Sequence, residues 1–95
     1  MLKVTILFFS FFRENLGLDR IVLDIDAPLS VRDLLMVVDG KLNGRLMKLI
    51  SNPDGEFRKD IHFAVNMRRI GVEDLSNVII GDGDVLAIMP APSGG

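Results

Sequence analysis

The chain has 95 residues, 11 of them basic and 13 acidic for a formal net charge of -2, with 48% hydrophobic and 25% charged residues. That length makes one domain able to bury a core without a metal or disulfide, and the composition excludes a disordered chain. The charge balance gives no electrostatic reason to expect nucleic acid or an anionic membrane as partner, and the lack of cysteine excludes disulfides, thiolate catalysis and cysteine-type zinc sites.

The chain opens on "MLKVTILFFSFFRE", a lysine followed by the apolar run Val4 to Phe12. The run falls short of the about 20 residues that cross a bilayer, and no small-residue cleavage site follows it. We therefore read Leu2 to Phe12 as the first strand of a cytoplasmic protein. Val4, Ile6 and Phe8 alternate there with Leu7, Phe9 and Phe11, so both faces of the strand are apolar. Such a strand is either covered on both sides or presents one face, with Met89 or Ile88 nearby, to a partner. The segment "RENLG" supplies a polar turn, and Leu18 to Asp26, alternating Ile21, Leu23 and Ile25, completes an opening hairpin.

From Val31 the period lengthens, with Val31, Leu34, Leu35 and Val38 at helical spacing. Ser30 is the expected N-cap, Asp33 adds negative charge to the first turn, and Gly40 ends the helix. A second helical stretch carries Leu42, Leu46, Leu49 and Ile50 and breaks at "SNPDGEF". Asp60 to Asn66 reads as the third strand. An irregular stretch bearing Arg68 and Arg69 follows as far as Gly71, and Asp74 caps a single turn. Then "GDGD" turns the chain into a last strand, Val85 to Met89, that Pro90 and Pro92 terminate.

Strand, strand, helix, strand, strand describes an α+β roll, a mixed sheet with one main helix packed on one face. With the last strand beside the first, residues 1–89 form the domain and 90–95 a flexible C-terminal tail. Its prolines hold it extended and it protrudes from the body, spanning about 20 Å at full reach.

Three other motifs carry no chemistry. "GDGD" lacks the spaced downstream ligands and bidentate glutamate of a calcium loop, so it reads as a turn. His62 has no second ligand or nucleophile near it in sequence, and Gly81 and Gly83 lack the context of a phosphate-binding loop. Metal ligands are therefore not expected.

The tail is informative in another way. A carboxylate is chemically idle at neutral pH until ATP adenylates it, and the enzyme doing so must thread the terminus through a narrow site. Glycine at both final positions removes every Cβ that would clash there. "GDGDVLAIMPAPSGG", "FAVN" at Phe63 to Asn66, "REN-LG" and "L-VRDLL" together resemble the MoaD-like sulfur carriers, small subunits of molybdopterin synthase, in order and spacing along essentially the whole chain.

That resemblance implies a β-grasp, ubiquitin-like fold and a protein that is not itself an enzyme. It implies that a MoeB-type or ubiquitin-activating-type partner uses ATP to adenylate Gly95, with Gly94 letting the tip enter the site, and that no cofactor is bound by the chain itself. The adenylate becomes a thiocarboxylate, and a MoaE-like large subunit receives its sulfur for a pterin precursor. Related archaeal proteins resemble modifiers that join the same glycine to lysines of target proteins; Lys3, Lys41, Lys48 and Lys59 would then be attachment points for chains. Both roles share the first step, and a plain interaction domain with a tail is the third reading. The residues expected to meet partners are Phe9, Phe11, Arg68, Arg69, Met89, Pro90, Pro92 and Ser93. The family commonly ends Phe-Pro-Pro-Val-Ser-Gly-Gly; here Met89 stands for the Phe, Ala91 for the second Pro and Pro92 for the Val.

Overall fold

The opening apolar run divides into a strand and a helix. In the computed structural model, which describes residues 1–91, β1 covers Leu2–Phe8 and α1 covers Phe11–Leu16. The strand expected to reach Phe12 stops earlier because Ser10, at φ 52°, turns the backbone away. Helical spacing then buries Phe12 and Leu16 one turn apart, and Phe11 packs half-buried beside them with its ring centroid 4.1 Å from that of Phe12. The "RENLG" segment is the second half of this helix and its cap. Gly17 at φ 74° donates its N–H to the Arg13 carbonyl, a left-handed ending that suits glycine.

Five strands make the main sheet in the order β2 (Arg20–Ile25), β1, β7 (Val85–Pro90), β4 (Ile61–Val65) and β5 (Arg68–Ile70). β1 and β2 are antiparallel, as the opening hairpin requires, while β7 lies parallel to β1 and antiparallel to β4. The stretch expected to be irregular thus forms an edge strand, because Arg68, Arg69 and Ile70 pair in register with Val65, Ala64 and Phe63. A second sheet pairs β3 (Leu29–Ser30) with β6 (Ile79–Ile80) and ties the start of the main helix to the final turn.

The main helix, α2, runs Val31–Lys41, and the Asp33 N–H donates to the Ser30 hydroxyl oxygen at 3.1 Å, the expected cap. Its end passes the expected Gly40 by one residue, and the buried side chain of Leu42 follows as the cap. Helix α3 covers Arg45–Ile50, and the single 3-10 turn Val72–Asp74 begins at Gly71. Asp74 is the last residue of that turn and not its cap. Its backbone carbonyl accepts the N–H groups of Asn77 and Val78.

Val31, Leu34, Leu35 and Val38 of α2 meet Val4, Ile6 and Phe8 of β1, Phe63 of β4, and Leu86 and Ile88 of β7 in one core, with Phe12, Leu46 and Ile50 closing its end. Every helix packs into this core on one face of the main sheet, the α+β roll expected from the sequence. Among the described residues no helix is long and apolar enough to cross a membrane.

Three substitutions test this layout. Ile88→Ala, in the core with its side chain wholly buried, should cost about 2 to 5 kcal/mol in denaturant unfolding, whereas Met89→Ala on the opposite face should cost about 1 kcal/mol. Ser30→Ala should cost about 1 kcal/mol, read the same way, through loss of the α2 cap.

Candidate functional site

The sheet face away from the helices carries the other set of alternating side chains. Across the five strands, Arg20, Leu7, Ala87, Ala64 and Arg69 stand side by side in register. An apolar centre is therefore closed by an arginine at each edge. The two alanines leave the middle of the row low while Phe9 and Met89 rise beside it, and the result is a groove of about 850 Å³ whose lining includes Leu7, Phe9, Ala64, Met67, Ala87 and Met89. His62 and Arg69 also border it, and among the described residues no aspartate or glutamate does.

The structure sorts the expected partner-binding residues. Phe9, 41% exposed, Met89 and Arg69 lie in the groove. Phe11 does not: it sits on α1 against the core, because the strand that would have carried it to this face ends at Phe8. Arg68, exposed on β5, alternates with Arg69 and so belongs to the other face of the edge strand. Ile88, expected near the face, points into the core. Pro90 ends β7 opposite Ile61. Pro92, Ser93, Gly94 and Gly95 lie outside the described residues.

Sequence reasoning missed Ala64, Val85, Ala87 and Met67. The first three fall on the outer side of the strand alternation in "FAV" and "VLAIM", a signal that was available once those strands were recognised. Met67 was hidden because it lies in the turn between β4 and β5, where no periodicity marks a side chain.

Hydrogen bonds set where the last strand begins and ends. At its start, Asp84 accepts the Gly81 N–H at 2.8 Å and the Asn66 side-chain amide N–H at 2.9 Å, and the Asn66 side-chain Oδ1 accepts the Val85 N–H at 2.9 Å. Asp82 accepts the Lys3 N–H at 2.7 Å. The two carboxylates of "GDGD" are thus spent on the backbone N–H groups of Gly81 and of Lys3 in β1, and on the Asn66 amide. The Gly81 N–H, then the Asn66 amide, hold the Asp84 carboxyl below the usual carboxylate range.

At the other end the Ala91 N–H donates to the Asp60 carbonyl at 2.8 Å. Pro90 lacks an N–H, but the strand alternation aims that position toward the β1 side, where β1 has already ended at Phe8, so the proline removes no ladder bond. Asp60 is itself steadied by Arg58, whose guanidinium grips both carboxylate oxygens at 2.9 and 2.6 Å; hydrogen bonding to Arg58 lowers the Asp60 carboxyl and raises the guanidinium. The chain therefore leaves the body at a fixed point, beside Met89 at the rim of the groove.

His62 is half-buried on the outer face, in register with Met89. It also lines a second groove with Arg32, Phe57, Glu56 and Glu73, where the Arg32 guanidinium lies 5.6 Å from the Phe57 ring centre. Among the described residues no cluster of histidine and carboxylates could hold a metal ion.

A mixed sheet wrapped on one helix, with its final strand central and an apolar outer face, defines the β-grasp, ubiquitin-like class. The chain belongs to the ThiS family, whose model it matches over residues 6–95. It is 28% identical to Small archaeal modifier protein 3 of Haloferax volcanii, over 99% of this chain and 100% of that protein. The crystal structure of SAMP1 from Haloferax volcanii is 26% identical and matches with a TM-score of 0.81, covering 98% of this chain and 99% of that one. A putative molybdopterin converting factor, subunit 1, from Pyrococcus furiosus shares the fold at 24% identity and a TM-score of 0.72, covering 97% of this chain and all 100% of its own.

The Asp84 carboxylate gives a pH test with a definite sign. Its folded-state pKa lies below its unfolded one, so its stabilisation is complete above about pH 4 and is lost as pH falls through the folded value. Asp84→Asn should be less stable than the parent by about 1 kcal/mol at pH 7. In urea unfolding at a series of pH values, that difference should close below pH 4.

Proposed function

We propose that this chain is a carrier whose Gly95 carboxylate is activated by adenylation and converted to a thiocarboxylate, the sulfur going to molybdopterin synthesis in the cytoplasm. One observation carries the reading: the central strand brings the chain to Ala91 at the rim of an apolar groove whose described lining holds no carboxylate. An enzyme that covers the groove is thereby placed to receive the residues that follow. The family match reaching residue 95 supports the assignment of Gly94 and Gly95 to that role.

The chemistry needs no catalytic group from this chain. In a MoeB-type or ubiquitin-activating-type partner, a Gly95 carboxylate oxygen attacks the α-phosphorus of ATP and pyrophosphate departs. A hydrosulfide nucleophile then attacks the acyl carbon, AMP departs and the S–H proton is lost to solvent, leaving the thiocarboxylate. A MoaE-like large subunit accepts the tail and the sulfur passes to the pterin precursor. ATP belongs to the partner's site. Gly94 contributes the absence of a Cβ where the tail is threaded.

A second reading is favoured by the names of the relatives, several of which are modifiers. In it a lysine amine of a target protein attacks the same acyl-adenylate carbonyl, AMP leaves, the nitrogen loses a proton, and an isopeptide bond joins Gly95 to the target. Lys3, Lys41, Lys48 and Lys59, all exposed, are available for chains.

Intact mass spectrometry after incubation with the cognate adenylating enzyme, ATP and a sulfur source should show one oxygen replaced by sulfur, and deletion of Gly94 and Gly95 should abolish the change. An unchanged mass under these conditions would count against the carrier. Gly-Gly remnants on lysines of other proteins, recovered from the native cells, would establish the modifier role.

A further inference from the structure

The turn between β4 and β5 contains a residue that the isolated domain does not explain. Val65 pairs with Arg68, so Asn66 and Met67 alone close the hairpin, with φ of 50° and 71°. Two positive φ values in a two-residue loop define the type I′ turn, for which Asn-Gly is the favoured pair. Asn66 suits its place, since asparagine tolerates left-handed backbone and its side chain is bonded to Val85 and Asp84. Met67 has a Cβ that strains this conformation and no polar atom to form a compensating backbone bond. Its side chain is 97% exposed, so no packing in the monomer offsets the strain.

Strain of this kind persists where function holds it. Met67 borders the outer-face groove, at the opposite side from Phe9. We propose that Met67 is a projecting anchor for the adenylating enzyme, filling an apolar socket on that enzyme whose rim carries carboxylates opposite Arg69. This rests on the adenylation reading above. The charge of the face fits a partner with an acidic rim, which the adenylation reading identifies as that enzyme: the chain has net charge -2, yet among the described residues the groove lining has no carboxylate and the row across the sheet ends in Arg20 and Arg69. A second copy of this chain would bring arginines against arginines, and like-charge juxtaposition disfavours it. The flexible thioether side chain suits a socket that closes around it.

The test is ATP–pyrophosphate exchange by the cognate adenylating enzyme, with this chain as the varied substrate, together with thermal unfolding of each variant. Met67→Gly should raise KM about tenfold or more with kcat unchanged, while its unfolding midpoint stays level or rises by a few degrees. Met67→Leu should restore KM to near the parent value. Met36→Ala, at an exposed position on α2, should leave both constants unchanged. A parental KM for Met67→Gly, or a lowered midpoint showing that the methionine serves the fold, would overturn the anchor while leaving the adenylation reading intact. No exchange with the parent chain would overturn both.

Discussion

The insertion of β7 between β1 and β4 is the constraint on which the rest of the structure depends. The last strand to be made takes the centre of the sheet, parallel to the first strand and antiparallel to the one before it. Central placement pairs the strand on both sides, with β1 from Val85 to Ile88 and with β4 from Leu86 to Pro90, and buries Leu86 and Ile88 in the core. It also requires both flanking strands to exist before the ladder can close. These long-range pairings make the end of the chain a rigid part of the body up to Ala91.

From that placement follows the division of labour between the two faces. The same alternation that sends Leu86 and Ile88 inward sends Val85, Ala87 and Met89 outward, with Leu7 and Ala64 beside them. Small residues at the centre and larger ones around it make a groove, where an ordinary solvated face would carry polar side chains. An apolar centre with an arginine at each end of the row is the kind of composition that protein-binding surfaces use. The groove lies beside Ala91, where the described chain ends. On the proposed reading, a partner that held this face would also fix the point from which the following residues depart.

Much of this was legible in the sequence, for identifiable reasons. The helix Val31–Lys41 announces itself by its apolar spacing and its serine cap, and β2, β4 and β7 by alternation. The order of these elements was enough for the roll. Three features escaped. The end of β1 was invisible because Phe8, Phe9, Phe11 and Phe12 satisfy a strand and a helix equally well; burial of Phe12 and Leu16 on one helical face decided it. β5 was hidden because arginines carry no strand signature, and its pairing to β4 depends on the Asn66–Met67 turn. The apolar second set in β1 marks the outer face, but Phe11, expected on it, packs on α1 against the core, of Met89 and Ile88 only Met89 lies beside it, and Met67 carries no sequence signal, since those assignments require the register between strands. Of the site, the role of the final glycines rests on residue type and resemblance and lies outside the described residues, whereas the groove needed three dimensions.

The central claim is that one face of the sheet brings this chain to its activating partner and so delivers the tail. Amide chemical shifts of isotope-labelled protein, followed while the cognate adenylating enzyme is titrated in, test it most directly. The account predicts that the signals which move or broaden first belong to Leu7, Phe9, Ala64, Met67, Ala87 and Met89, with α2 little affected. Perturbations gathered instead on α2, or in the second groove around Arg32 and Phe57, would contradict it.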